Sequence, residues 1–287
     1  MAMSDDLVTP AWRDGHVEPG AVARAARGLA AGGVVGLPTE TVYGLAAVAR
    51  DRAAVARVFT IKGRPSDHPV IVHVAGAEAL RVWGSGVADY AVRLAEGLWP
   101  GPLTLVVPAA DDVPRSLTGG QDTVGLRCPA HPVALAVIDA AGPVAAPSAN
   151  RFGQVSPTTA VDVVADIGDR LDPARDLVLD GGACPVGVES TILDCTTDAP
   201  RVLRWGAIEI AQIEAVGGRP VSADASAIRA PGGLASHYAP RAMVHLGSDA
   251  APGDGFLALD SAPTPPGAVR LAQPGDTRAY AAVVYRA

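Results

Sequence analysis

Apolar residues recur at Val22, Ala25, Ala26 and Leu29, which is one face of a helical period. Pro19 suits a first helical turn and Gly32-Gly33 suits a stop, so the pattern predicts a helix over 19–31. "VVGLP" follows as a short buried strand ending at Pro38. A second helix is expected over 52–60, leading to Lys62, with a strand at "VIVHV" (70–74) and a helix over 88–98. "LTLVVP" and "TVGLR" read as strands, 132–140 as a helix and "VAAP" as a brief strand. The stretch 159–165 reads as helix, and "LVLD", "STILDC" and "RVLR" as strands.

Helices and strands intermix throughout, which predicts a layered α/β domain over 19–216 after an N-terminal lead-in (1–18). Consecutive strands late in that span point to a twisted, mixed, open sheet with helices on both faces. From 217 to 240 the periodicity fails in a Gly-, Ala-, Ser- and Pro-rich stretch, read as a linker. "MVHLG" and "GFLALD" as strands, with a terminal helix in "DTRAYAAVVYRA", predict a small C-terminal α/β lobe over 241–287.

Composition narrows the class. Of 287 residues 49% are apolar and only 4% aromatic, enough for a core of small side chains without disulfides or metals. The formal charge of −7 argues against a general nucleic-acid coat. Cys128, Cys184 and Cys195 share no metal-ligand or CxxC spacing and read as reduced, buried thiols. The N-terminus shows no signal-peptide pattern, and no apolar run reaches the roughly 20 residues needed to span a bilayer. A cytoplasmic protein without membrane contact is the expectation.

Polar residues gather where buried strands end, the place where open α/β sheets collect ligands. "PTETVYG" places Thr39, Glu40, Thr41 and Tyr43 after the first strand. Lys62, Arg64 and Ser66 precede the strand that holds His73, and Thr123 and Arg127 flank "TVGLR". Ser148 and Asn150 follow "VAA", with Ser156 beyond, and "GVESTILD" and "RVLRWG" add Glu189, Ser190, Thr191, Arg201 and Arg204. Each has an ordinary reading as a turn, a helix cap, a surface charge or a satisfied structural histidine. A single turn explains one such cluster, but does not predict six.

Lys62 is the only lysine among 23 basic Lys and Arg residues. Arginine replaces lysine on solvated surfaces but not where a compact ammonium must fit between oxygens. Arg64 beside it carries the planar fork suited to phosphate or carboxylate, so the pair suggests an anion site. No P-loop, GxGxxG fingerprint, HExxH or GxSxG is present.

"GLPTETVYGLAA", "IKGRPSDHPVIVHV", "LWPGPLTLVV", "TVGLRCPAHP", "AAPSANRFGQVSPT" and "GVESTILD…RVLRWGAI" together resemble the threonylcarbamoyl-AMP synthase family, the YrdC-like domain, over about residues 33–208 in the family's order. "APGGLASHYAP" resembles the linker of its long, two-domain members, although those carry basic or aromatic residues where this chain has "GGLAS". The C-terminal lobe is shorter than the family's second domain.

The resemblance implies a twisted sheet with a deep central cleft. It implies formation of threonylcarbamoyl-AMP and pyrophosphate from L-threonine, bicarbonate and ATP, with magnesium accompanying the ATP. It also implies downstream transfer to tRNA by separate proteins, and allows a weak tRNA contact. By the same resemblance Lys62 and Arg64 are catalytic and steady the carbamate and phosphates. Lys62, Ser66, Thr123, Ser148, Asn150, Ser156, Arg204 and the linker's Tyr238 hold ATP. Thr39, His73, Arg127, Ala146 and Ser190 hold threonine. Two alternatives stand beside this reading: a paralogue acting on another amine, and a non-catalytic RNA-binding module, against which the acidic balance and scarce aromatics weigh.

Overall fold

The computed structural model describes residues 7–224, 226–232, 239–240, 242–247 and 250–287. The strands are β1 (Val8–Pro10), β2 (Trp12–Arg13), β3 (His16–Val17), β4 (Val35–Leu37), β5 (Gly44–Val48), β6 (Ile71–His73), β7 (Leu103–Pro108), β8 (Thr123–Arg127), β9 (Val144–Ala145), β10 (Leu177–Asp180), β11 (Thr191–Asp194), β12 (Arg201–Arg204), β13 (Gly255–Leu257) and β14 (Val269–Ala272). The helices are α1 (Pro19–Ala30), α2 (Arg52–Lys62), α3 (Ala79–Trp83), α4 (Asp89–Leu98), α5 (Arg115–Thr118), α6 (Pro132–Ala141), α7 (Ala160–Ile167), α8 (Ile210–Gly217) and α9 (Thr277–Val283).

Ten strands form one mixed sheet in the order β1-β10-β4-β5-β9-β6-β8-β7-β11-β12. Alternation along the strands sorts side chains onto two faces. In β10, Leu177 and Leu179 join one apolar cluster with Ala25 and Leu29 of α1 and Val133 and Val137 of α6. Val178 between them joins another, with Val58 and Ile61 of α2 and Val163 and Ile167 of α7. Helices therefore cover both faces of this half, as the sequence pattern predicts. In the other half Leu103, Leu105, Val107, Val124, Leu126 and Leu193 pack on Leu94 of α4 and Ile213 of α8. The opposite face of these strands is left to a different set of residues, described below.

Local signals explain several boundaries. Asp51 caps α2 by accepting from the Ala53 and Ala54 amides, and Thr159 and Asp162 form a reciprocal capping box on α7. The helix expected over 52–60 runs two residues further, so Lys62 is its last residue; Gly63, at φ 63°, ends it in the left-handed region. Val8–Pro10 is too short to show a period, yet pairs in parallel with β10 at the sheet edge.

In the C-terminal lobe β13 and β14 pair only with each other among the described residues, in parallel. The strand expected at "MVHLG" does not form: residues 243–247 carry no strand, and Met243, Val244 and Leu246 are exposed. Their apolar alternation finds no neighbouring strand to pair with among the described residues. The three cysteines are unbonded and buried, as expected; burial pushes the Cys128 thiol up to about 11 and Cys184 to about 12. No helix among the described residues is long and apolar enough to cross a membrane.

Candidate active site

The sheet face opposite α4 and α8 carries the polar residues. Along β6 the core takes Val72 while Ile71 and His73 face the other way; along β8 it takes Val124 and Leu126, leaving Thr123, Gly125 and Arg127. Register sets His73 beside Arg127 and beside Val144, bringing the two polar side chains onto neighbouring strands. Thr104 and Val106 of β7 and Ile192 of β11 complete this face.

Arg127 and Glu40 form an ion pair at 2.7 Å, with side-chain exposures of 5% and 9%. Glu40 reaches Arg127 from the turn between β4 and β5, and its second oxygen accepts from the Ala130 amide at 3.0 Å. His73 is buried, its Nδ1 has no hydrogen-bond partner among the described residues, and burial and then Arg127 push its pKa down to about 3. The imidazole is therefore neutral and its ring nitrogen is an open polar position. Thr39 uses its hydroxyl inside its own turn, donating to the Val42 carbonyl at 2.6 Å. The Ala146 amide donates to the Ile71 carbonyl at 3.1 Å, which fixes the start of the Ser148–Asn150 turn.

Lys62 is buried at the end of α2. Its ammonium donates to the Ser148 carbonyl at 2.6 Å and the Asn150 carbonyl at 2.5 Å, with Asn150 Oδ1 at 3.4 Å. Burial, then the neighbouring Arg64, pushes its pKa well below the lysine range. The lone lysine thus occupies a point between oxygens, and those oxygens belong to the protein's own turn. Asn150 steadies that turn by donating to the carbonyls of Arg151 and Gln154, each at 2.8 Å.

Arg64 follows the helix stop, donates to the Pro69 carbonyl at 2.8 Å and lies 5.7 Å from the Phe152 ring centre. With His68, Val202, Leu203 and residues 223–224, 226–230 and 232 of the linker it lines a cavity of about 440 Å³. Ser66 is exposed, whereas His68, two residues on, faces the cavity. Thr123 lines a narrow seam under Arg229 and Ala230. On the far strand, Arg204 donates to the Ser190 carbonyl at 2.9 Å and Ser190 Oγ at 3.0 Å, and Ser190 exchanges a 2.8 Å hydrogen bond with Thr104. Ser156 donates to Glu189 at 2.5 Å. Tyr238 lies outside the described residues.

The sequence reading gave the linker no site residues apart from Tyr238. The structure lays the linker across the site face. Ile228 and Ala230 pack on Ile71, Val106 and Ile192, and Arg204 donates to the Pro231 carbonyl at 3.3 Å. Gln121 clamps Arg229 from both sides, accepting from its amide at 2.8 Å and donating to its carbonyl at 3.0 Å. A single isoleucine in a Gly/Ala/Ser/Pro stretch was the available signal. His68, Gln121 and Arg229 carried none, because their role depends on chain segments far apart in sequence.

A family model named for Sua5, YciO and YrdC and described as "Telomere recombination" matches residues 27–206, and the threonylcarbamoyl-AMP synthase C-terminal domain model matches 208–284. The chain belongs to the Sua5/YciO/YrdC family. Relatives named threonylcarbamoyl-AMP synthase include those of Pyrococcus abyssi, 44% identical over 220 residues (74% of this chain, 64% of the relative), and Bacillus subtilis, 44% over 234 residues (78% and 66%). The chain therefore spans just under two thirds of the length of these curated relatives. Among solved structures, P. abyssi Sua5 complexed with L-threonine matches with a TM-score of 0.75 and 41% identity, covering 82% of this chain and 69% of that one. E. coli YciO matches with a TM-score of 0.58 and 25% identity over 71% of this chain and 95% of its own. As a Sua5/YciO/YrdC protein the chain has the family's mixed sheet, and His73, Thr123 and Arg127 lie on one face of it.

Proposed function

We propose that this protein is an L-threonylcarbamoyladenylate synthase, converting L-threonine, bicarbonate and ATP into threonylcarbamoyl-AMP and pyrophosphate. One observation carries the reading: His73, Thr123 and Arg127 share a sheet face roofed by a linker, beside a cavity lined by Arg64 and His68. Relatives at 44% identity are named for this reaction, and a related structure is complexed with L-threonine.

The chemistry asks for two adjoining subsites. Threonine's amine and bicarbonate give a carbamate and water. A carbamate oxygen then attacks the α-phosphorus, the bond to the β-phosphate oxygen breaks, and pyrophosphate leaves. Such transfer needs little covalent work from the protein and depends on positioning and charge stabilisation. In this reading Arg127, with Thr39, Ser190 and the Ala146 backbone, holds the amino acid's carboxylate and hydroxyl. Neutral His73 accepts a hydrogen bond there. Arg64 faces the phosphates, and Lys62 shapes the Ser148–Asn150 turn that receives them. Thr123, Ser156 and Arg204 contact the nucleotide, and the resemblance adds Ser66 and Tyr238 to the residues that hold it. Magnesium arrives with the triphosphate as part of the substrate.

Because Ile228 and Ala230 occupy the sheet face, the linker shifts to admit ligands. The product's mixed anhydride suits transfer to a tRNA adenosine by separate proteins. Purified protein given ATP, bicarbonate and a panel of amino acids is expected to release pyrophosphate with threonine and not without it. Turnover that ignores the amino acid, or tRNA binding without turnover, overturns the proposal.

A further inference from the structure

Glu189 is a carboxylate only 8% exposed, and no ion pair holds it among the described residues. A buried anion without a cation is costly unless hydrogen bonds satisfy it. Both of its oxygens are satisfied and, among the described residues, only by hydroxyls: Oε1 accepts from Ser156 at 2.5 Å and Oε2 from Tyr285 at 2.7 Å. The second donor comes from the C-terminal lobe, 96 residues away in sequence.

That lobe meets the catalytic domain closely here. Gly187, at φ 74°, lies against the backbone of Ala281 and Ala282; an added Cβ would fall 2.5 Å from Ala282 Cα. No residue of α9 is fully buried, although 279–283 are half-buried, and this backbone contact and the Tyr285 hydroxyl are two of the contacts that hold the helix. Ser156, which donates to Glu189, is one of the residues proposed to contact the nucleotide, so Glu189 lies beside that part of the site.

The geometry points to Glu189 as a further ligand-binding residue, an acceptor for a ribose hydroxyl of the nucleotide, with the Tyr285 hydroxyl as its stand-in while the cleft is empty. This rests on the proposed use of ATP. The charge pattern sets the orientation of the nucleotide. Arg64 and Arg229 outnumber the single carboxylate, Asp224, in the cavity lining, so the phosphates lie there, and the end rich in hydroxyl donors lies toward Ser156 and Glu189, outside that lining. Carboxylates accept ribose hydroxyls in nucleotide sites for the same reason, since a hydroxyl donates where a phosphate cannot. A ribose hydroxyl and Tyr285 therefore compete for Oε2, and nucleotide binding displaces the C-terminal helix from Gly187.

The test is direct binding of ATP and of 2′,3′-dideoxy-ATP to the full chain by calorimetry. Wild-type protein is expected to prefer ATP by about tenfold. Tyr285→Phe, at a partly exposed position, is expected to bind ATP three- to tenfold more tightly while its affinity for the dideoxy analogue stays unchanged. Glu189→Gln is expected to bring the two ligands within about twofold. Hydrogen exchange of residues 277–283 reports α9 separately, rising on ATP addition to wild type and already raised in Tyr285→Phe. Unchanged ATP affinity in Tyr285→Phe overturns the inference, as does equal binding of the two ligands by wild type. Wild-type protein that binds no ATP overturns the proposed function and this inference with it.

Discussion

Lys62→Met removes the ammonium from between two carbonyls while keeping most of the stem. In the folded protein those carbonyls lie at 2.6 and 2.5 Å from Nζ, and the Phe152 amide donates to the Lys62 carbonyl at 2.8 Å. The residue therefore ties α2 to the Ser148–Phe152 turn from both its side chain and its backbone. Leaving two carbonyls without a donor costs about 1–3 kcal/mol each. Relief of burying a charge offsets part of this, so a net loss of about 3 kcal/mol is expected. Lys62→Arg fails differently: a planar fork is too broad for the gap, and overpacking costs about 1–3 kcal/mol. Urea unfolding reads both. With a slope of about 3 kcal/mol per molar urea, the Met variant's midpoint falls by about 1 M at unchanged slope. A shift below about 0.3 M would refute the claim that this lysine is retained because it holds the turn. Pyrophosphate release would then have to explain the lysine by direct contact with the reacting groups.

Two further perturbations test neighbouring parts of the site. His73 has a folded pKa lowered to about 3, so the unfolded chain takes up its proton first as pH falls. Stability from this group is complete above the ordinary histidine value of about 6.5 and declines between there and about 3, by about 2–3 kcal/mol from pH 7.5 to 4.5. His73→Asn should show a shallower loss in unfolding free energy over that range, and parallel pH curves would contradict the assignment. Gly206→Ala would place a Cβ 2.2 Å from the Thr191 nitrogen and 2.6 Å from the Glu189 carbonyl oxygen, neither of which can swing aside. The expected cost is about 1–3 kcal/mol, read by thermal unfolding, with loss of pyrophosphate release because the backbone around Ser190 and Arg204 must shift. A variant as stable and active as wild type would show that this strand end tolerates displacement.

The parts of the molecule that were legible in sequence are those specified by local chemistry. α1 announces itself by an apolar stripe between Pro19 and Gly32, α7 by its Thr159–Asp162 cap, and β7, β8 and β10 by short stretches rich in Val and Leu. The strand-end clusters were legible for the same reason: a polar group that directly follows a buried strand lies at the rim of a sheet. What escaped was decided by non-local pairing. β1 is three residues that become a strand only because β10 offers an open edge. "MVHLG" has strand-like alternation, yet stays exposed because no described strand lies beside it. Within the site, the sequence placed Lys62 toward an outside anion because its type suggested a point charge among oxygens. The inference about geometry holds, but the oxygens are main-chain carbonyls 86 and 88 residues away. Glu40 shows the same limit. Its pairing with Arg127 is set by sheet order, which brings β4, β5, β9, β6 and β8 into succession although they are scattered along the chain. Residue type at a strand end thus indicates that chemistry will occur on that face. Which partner each group meets is a property of strand order, and here that order converts two of the most conspicuous charges, Lys62 and Glu40, into supports for the residues around them.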